Sequence, residues 1–273
     1  MAMRPEPRLL LVAIAVALLA AACARPAKVK PPKIKGTEQV APTYRLQDGP
    51  DTKRRVQVVE LLGLAGQRFA GGEFDAAEAQ VRKALKLDPS AVDAYTLLGA
   101  IESRKGNAAV AGQHYRRAAE LAPERGDVLN NYGAWLCANG YPAEALVWFD
   151  RALASPGYRT PGSALANAGS CALRTGQRER AERDLRRALE IEPRNIHALA
   201  SMAEYQYGQG NYFEARAFAE RRLAAGPADA SVLQLAARIE ERLGDRAAAS
   251  RYQQRLRAEF PEAATAKTGE DPQ

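Results

Sequence analysis

The 34 residues from Val92 to Arg125 decide the fold; they read VDAYTLLGAIESRKGNAAVAGQHYRRAAELAPER. This stretch has a glycine at its fifteenth place, an alanine at its twentieth and a proline at its thirty-second, which are Gly106, Ala111 and Pro123. The glycine and the alanine recur in all six blocks that begin at Val58, Val92, Gly126, Gly162, Ile196 and Ala230. The body of the chain therefore consists of six copies of one unit.

Small residues mark three fixed places of this unit. The fifteenth place is always glycine: Gly72, Gly106, Gly140, Gly176, Gly210 and Gly244. The twentieth is always alanine: Ala77, Ala111, Ala145, Ala181, Ala215 and Ala249. The eighth is always alanine or glycine: Ala65, Gly99, Gly133, Gly169, Ala203 and Ala237. Because glycine readily takes the left-handed conformation that closes a helix, and small residues let helices approach closely, each unit predicts two packed helices.

A period of 34 residues with this pattern is that of the tetratricopeptide repeat. The sequence therefore predicts an all-α solenoid of six helix pairs over residues 56–262, forming a right-handed superhelix. Two extra residues between Asp150 and Gly162 predict a longer loop after the third repeat. Gln253 stands where the sixth repeat would carry a packing aromatic, which indicates a polar end cap, and we expect residues 263–273 to be disordered.

The N-terminus predicts a lipid anchor. Its apolar run from Leu9 to Ala22 is shorter than the roughly 20 residues that span a bilayer, and it follows a short basic leader. The stretch LLAAACARP at residues 18–26 resembles the lipobox of bacterial lipoproteins, which implies that residues 1–22 are a signal peptide and that Cys23 is acylated. A short, tilted anchor helix is the alternative.

The positive charge of the chain, formally +7, lies almost entirely in residues 23–55, which contain nine Lys or Arg and three acidic residues. The repeats from Val56 onward have no net charge, and this balance argues against a nucleic-acid partner. We interpret residues 23–55 as a basic, proline-rich tether that extends the body away from the membrane. The tether is either a solvated linker or a contact with acidic lipid headgroups or cell-wall polymer.

The first helices of such repeats line a concave face. With 3.6 residues per turn, places 2, 5, 9 and 12 of each block share one stripe facing the groove. In the first block this stripe is apolar and includes Val59, Leu62 and Phe69, so we predict a partner groove there. The alternative is that the returning tether covers the stripe. Asn130 and Tyr207, in the middle repeats, are the next candidates.

The remaining polar motifs indicate no catalysis. The chain has two histidines, His114 and His197, in different repeats, and it lacks a nucleophile–base pattern, a phosphate loop or metal-ligand spacing. We therefore expect no enzymatic activity, no metal and no cofactor. Cys137 and Cys171 fall on adjacent first helices, and they are either a disulfide or two buried thiols.

Three segments resemble the type IV pilus biogenesis and stability lipoproteins, the pilotins of the pilus secretin: LNNYGAWLCANG at 129–140, GYRTPGSALANAGSCALRTG at 157–176 and YGQGNYFEAR at 207–216. The resemblance implies an outer-membrane lipoprotein that faces the periplasm, binds secretin subunits and promotes their localisation and multimerisation. It implies no cofactor and no small-molecule substrate. The alternative function is a general periplasmic envelope scaffold, for example an adaptor for cell-wall enzymes or outer-membrane assembly.

Overall fold

The computed structural model describes residues 49–265, which contain thirteen helices and no strand. Twelve of the helices form six antiparallel pairs, one pair per repeat, and we call the two members of a pair the first and second helix of that repeat. The six pairs are Pro50–Ala70 with Phe74–Leu87, Val92–Arg104 with Ala108–Leu121, Gly126–Ala138 with Pro142–Ala154, Pro161–Arg174 with Arg178–Ile191, Ile196–Gly208 with Tyr212–Ala225, and Ala230–Leu243 with Arg246–Glu259. This arrangement confirms the predicted all-α tetratricopeptide-repeat solenoid.

The ends of the described region differ in detail from the predicted boundaries. The first helix begins at Pro50, six residues before Val56, where the sequence predicts the start of the repeats. Pro50 in the first turn and the acidic Asp51 beside it both favour a helix start at this point. A short helix, Pro261–Thr265, follows the sixth repeat, so residues 263–265, which the sequence predicts to be disordered, are helical. The predicted signal peptide, Cys23, the tether as far as residue 48 and residues 266–273 lie outside the described residues.

The predicted glycine turns are confirmed. All six glycines at the fifteenth place have positive φ angles, between 72° and 93°. At Gly106, the Asn107 N–H donates to the Glu102 carbonyl at 2.8 Å, which closes the preceding helix as the left-handed C-terminal motif requires. Residues with a Cβ are strained in this conformation, so the glycines fix the reversal between the two helices of each repeat.

The small residues at the eighth place make the predicted close contacts. A Cβ atom added to Gly99 would lie 2.8 Å from the Tyr115 ring, and one added to Gly169 would lie 2.6 Å from Leu185. The alanines at the twentieth place are buried, including Ala111 and Ala181 with no exposed area. At these positions the backbone of the first helix therefore lies directly against side chains of the second helix, as the small residues predict.

The extra residues of the third repeat form a packed loop. Residues 155–160 connect two helices, with Gly157 at a positive φ of 70°, and the Tyr158 ring lies so close to Gly126 that an added Cβ would approach it to 2.6 Å. The insertion therefore fills the space at the start of its own repeat. At the C-terminal end, the Gln253 side chain donates to the Glu241 carboxylate at 2.7 Å, which gives the last pair a polar contact. Within residues 49–265, none of the helices is both long enough and apolar enough to cross a bilayer.

Candidate functional site

The first helices form the inner face of the solenoid. Successive first helices contact one another in repeats 1 and 2 and along repeats 3 to 6, whereas within the described region no two successive second helices contact one another to the same extent. Rows of helices that touch lie on the inside of a curved stack, and rows that separate lie on its outside. The inner face is the surface that these proteins offer to a partner.

A pocket of about 680 Å³ lies at the N-terminal end of this face. Its floor comes from the first helix of repeat 1, where Val59 is 69% exposed and Leu62 is half-buried. The opposite wall is the connection between repeats 1 and 2, with Leu87, Pro89 and Val92. The structure therefore brings two of the predicted groove residues, Val59 and Leu62, into one concave apolar site.

Charged groups surround this apolar floor. Arg54 and Arg55 lie one helical turn before Val58 and Val59, and Arg125 enters from the connection between repeats 2 and 3. We call Arg54, Arg55 and Arg125 the arginine rim. The rim is hidden in the sequence because Arg54 and Arg55 fall within the basic, proline-rich segment 23–55. A signal was present, since Arg55 and Val59 are four residues apart and therefore share a helix face.

The acidic groups beside the rim already have partners. Asp88 accepts hydrogen bonds from the Ser90 hydroxyl at 2.6 Å and the Ser90 backbone N–H at 2.9 Å, and these bonds hold the pKa of Asp88 below its usual value. Arg125 contacts Asp93 at 2.8 Å and Asp127 at 2.5 Å, and its hydrogen bond lowers the pKa of Asp127. Both Asp88 and Asp127 are therefore ionised at neutral pH and engaged within the protein.

Phe69, the third predicted groove residue, does not line this pocket. It lies two turns further along the same helix, where it is half-buried and packs against the core of repeats 1 and 2. The centre of its ring is 5.8 Å from that of Phe74 at the start of the second helix. The structure therefore gives Phe69 a packing contact within its own repeat.

Asn130 and Tyr207 lie further along the inner face. Asn130 is only 8% exposed, and its side-chain oxygen accepts a hydrogen bond from the Asn167 amide at 3.0 Å, so it links two neighbouring first helices. Tyr207 is half-buried, and its ring centre is 5.5 Å from that of Tyr212 and 5.5 Å from the Arg238 guanidinium. Neither residue shares a pocket with Val59 and Leu62.

Cys137 and Cys171 form a disulfide between the first helices of repeats 3 and 4, with their Cα atoms 5.9 Å apart. Of the two alternatives left open by the sequence, the structure shows the bridge. The Arg174 guanidinium donates to the Cys137 carbonyl, so a side chain of repeat 4 also caps the end of the neighbouring helix. The bridge and this hydrogen bond join the repeats at the middle of the inner face.

We expect this disulfide to be present in the protein isolated from an oxidising compartment. Thiol alkylation of the denatured, unreduced protein, followed by mass spectrometry, should leave Cys137 and Cys171 unmodified. The bridge closes a loop with a sequence separation of 34, for which chain entropy predicts roughly 3–4 kcal/mol of stability. Two alkylated cysteines in the unreduced sample would contradict the pairing.

The two histidines lie in different repeats and have different surroundings. His114 packs on Tyr95 with ring centres 6.3 Å apart, and burial lowers its pKa. His197 is in repeat 5, beside Asn195 and Ile196 in a separate shallow pocket. Within residues 49–265, no three histidine, cysteine or acidic side chains are grouped so that they could hold a metal ion.

Comparison with known families assigns the repeats. Two family profiles described as tetratricopeptide repeat match residues 92–125 and 172–239. These matches cover the second repeat and the region from the fourth repeat into the sixth.

Comparison with individual proteins finds relatives in pilus assembly. The type IV pilus assembly protein PilF of Pseudomonas aeruginosa is 26% identical over 190 residues, which are 70% of this chain and 75% of PilF. The crystal structure of PilW, described as a widely conserved type IV pilus biogenesis factor, is 30% identical, with a TM-score of 0.68 over 76% of this chain and 96% of PilW. The solved structure of Pseudomonas aeruginosa PilF gives a TM-score of 0.67 at 24% identity, over 77% of this chain and 95% of that structure.

Proposed function

The chain belongs to the tetratricopeptide-repeat family of type IV pilus biogenesis factors that includes PilW, and from this premise we propose that it binds secretin subunits of the pilus machine. In this proposal it promotes the localisation of the subunits to the outer membrane and their multimerisation into the secretin ring. It acts by binding a protein partner, without catalysis and without a cofactor.

The observation that carries the proposal is the N-terminal pocket of the inner face. Val59 is a large apolar residue that the solenoid leaves 69% exposed, and it lies beside the half-buried Leu62 in a concave site. An exposed apolar patch rimmed by charged groups is typical of a protein–protein interaction site. The rest of the inner face lies along the same row of first helices, so a bound subunit could extend its contacts towards Tyr207.

The second part of the proposal concerns the anchor. We propose that the chain is cut between Ala22 and Cys23 and that acylated Cys23 holds it in the outer membrane, facing the periplasm. This part rests on the sequence alone, through the short apolar run and the small residues before the cysteine. More than one acyl chain gives stable membrane anchoring, whereas a single chain binds reversibly. A pocket close to the anchored end would hold a captured subunit near the membrane.

A strain that lacks the protein and is complemented with the parent or with Cys23→Ser tests this proposal. We expect the Cys23→Ser protein to stay uncut or to become soluble, because it has no acyl chains. The secretin should then no longer accumulate as multimers in the outer-membrane fraction. Both proteins should be detected at equal abundance by immunoblotting, so that loss of expression is not mistaken for loss of anchoring.

Two results of this experiment would contradict the proposal. If Cys23→Ser still fractionates with the outer membrane, acylation is not what anchors the chain. If secretin multimers form normally in the strain that lacks the protein altogether, the protein is not needed for secretin assembly, and the general envelope scaffold is then the better description.

A further inference from the structure

We propose that the N-terminal pocket recognises a peptide segment in which a carboxylate side chain stands beside an apolar one. The apolar side chain packs on Val59 and Leu62, and the carboxylate binds Arg54 and Arg55. This inference rests on the proposed function in taking the pocket as the partner site, and it adds the chemistry that the partner must present.

Arg55 provides the first argument. Its side chain lines the pocket and is exposed, and this side chain has no hydrogen bond or ion pair with any of residues 49–265. A guanidinium presents its donors in a planar fork that matches the two oxygens of a carboxylate. Arg55 can therefore accept an acidic partner without first giving up a contact to the described part of the protein.

Arg54 provides the second argument. Its acidic contact is Asp51 at 3.0 Å, three residues earlier on the same helix, and the side chains of Arg54 and Asp51 are 56% and 80% exposed. Exposed pairs of this kind contribute at most about 1 kcal/mol. A partner carboxylate that reaches the edge of the pocket can displace so weak a contact.

Among the described residues, neither acid of the pocket lining forms an ion pair with Arg54 or Arg55, although the nearby charge of Arg54 contributes to the lowered pKa of Asp88. Asp88 is held by two hydrogen bonds from Ser90, and Asp93 by the Arg125 guanidinium at 2.8 Å. Arg54 and Arg55 therefore place two guanidinium groups at the N-terminal edge of the apolar floor, and only Arg54 forms an ion pair with a described residue. The spacing of four residues from Arg55 to Val59 places this charge one helical turn from the apolar contact.

The charge of the preceding chain argues against that chain as the occupant. Residues 23–48 contain six Lys or Arg and two acidic residues, so they have the same sign of charge as the rim. Like charges brought together in a partly desolvated site repel one another. The rim therefore favours an acidic partner segment over the chain's own tether.

Selection of random peptides displayed on phage tests the inference without using the secretin. The bait is the full-length protein in detergent micelles at low ionic strength. We expect the enriched sequences to carry Asp or Glu next to Leu, Ile or Val. The best peptide, labelled with fluorescein, should bind more weakly as salt is added, because salt screens the charge contact.

The double variant Arg54→Gln with Arg55→Gln should bind this peptide about tenfold more weakly than the parent, from the loss of two charge-assisted contacts. The matched control is Arg117→Gln with Arg187→Gln on second helices. Arg117 is 51% exposed and has an i,i+3 pair like that of Arg54, and Arg187, like Arg55, is exposed and has no ion pair among the described residues. We expect the control to change the affinity by less than about twofold.

A peptide with Gln in place of the acid completes the test. Its affinity for the parent should be about tenfold lower than that of the original peptide. Its affinity for the double variant Arg54→Gln with Arg55→Gln should be no lower than its affinity for the parent, because the two changes remove the same contact. The inference is overturned if no peptide is enriched, if the enriched peptides lack acids, or if the rim variant binds as tightly as the parent. A protein that selects acidic–apolar peptides but binds no secretin subunit would contradict the proposed partner and leave the pocket chemistry supported.

Discussion

Val59→Asp is expected to weaken the binding of a secretin subunit to the purified protein by about thirtyfold or more. Truncation of a hot-spot residue at the centre of an interface costs about 2 kcal/mol or more, which corresponds to a factor of about thirty in affinity, and Val59→Asp also places a charge at that position. The new carboxylate also lies one turn from Arg55 and would pair with it, which denies that arginine to a partner. The dissociation constant, measured by surface plasmon resonance, checks this expectation.

The matched control for this substitution is Val147→Asp. Val147 is 57% exposed and lies on the second helix of repeat 3, on the opposite side of the solenoid. Both substitutions place a carboxylate on an exposed helix position, so both variants should keep the parent's circular dichroism spectrum. If Val59→Asp is folded and binds the secretin subunit as tightly as Val147→Asp does, the partner site is not at this pocket.

Arg222→Ala is expected to lower the free energy of unfolding by about 3 kcal/mol. Arg222 is only 4% exposed, and it donates to the Pro227 carbonyl at 2.9 Å and to the Asp229 carboxylate at 2.7 Å. Asp229 in turn caps the first helix of repeat 6 by accepting from the Val232 N–H at 2.9 Å. Loss of a hydrogen bond to a charged group costs roughly 1.5–3 kcal/mol. Breaking a buried ion pair costs roughly 3–5 kcal/mol. Because the Asp229 side chain is half-exposed, we expect a total loss of stability near the lower end of that second range.

Urea unfolding followed by circular dichroism measures this change. In the Arg222→Ala variant, the last helix pair should unfold at a lower urea concentration than the rest of the chain, because neighbouring repeats stabilise one another mainly across their shared interface. Arg187→Ala, at an exposed position on the second helix of repeat 4, is the control and should change stability by less than about 0.5 kcal/mol. Equal stability of Arg222→Ala and Arg187→Ala would show that the buried arginine does not join the last two repeats.

The helical pairs could be predicted from the sequence because each depends on residues whose physical roles are local. A glycine such as Gly106 is needed where the backbone takes a positive φ, and an alanine such as Ala111 is needed where two helices touch. Both requirements recur in every repeat, so six repetitions make the pattern unambiguous. The predicted insertion before Gly162 was visible for the same reason, as an interruption of a regular period.

The candidate site was only partly predictable. Val59 and Leu62 could be placed on the inner face from helical spacing, but Phe69 on the same stripe turns to Phe74, a contact that depends on the second helix. The burial of Asn130 depends on Asn167, which is 37 residues away in sequence. Contacts between helices depend on how the helices stack, and they cannot be predicted from the spacing of residues within one helix.

The arginine rim was missed for a different reason. Arg54 and Arg55 belong by composition to the basic, proline-rich segment before the repeats, whereas the structure places them in the first helix, which begins at Pro50. Arg125 lies in the connection between repeats 2 and 3 and reaches the pocket through its contact with Asp93. When the chain is divided where its composition changes, Arg54 and Arg55 are separated from Val59 and Leu62, although all four residues line one pocket.

The central claim is that the inner face of this solenoid binds secretin subunits of the type IV pilus, and equilibrium binding tests it most directly. The measurement is titration of the purified, full-length protein in detergent micelles with the purified secretin subunit, in parallel with Val59→Asp. The account predicts saturable binding by the parent and binding by the variant that is weaker by about thirtyfold or more. Absence of saturable binding by the folded parent would contradict the account.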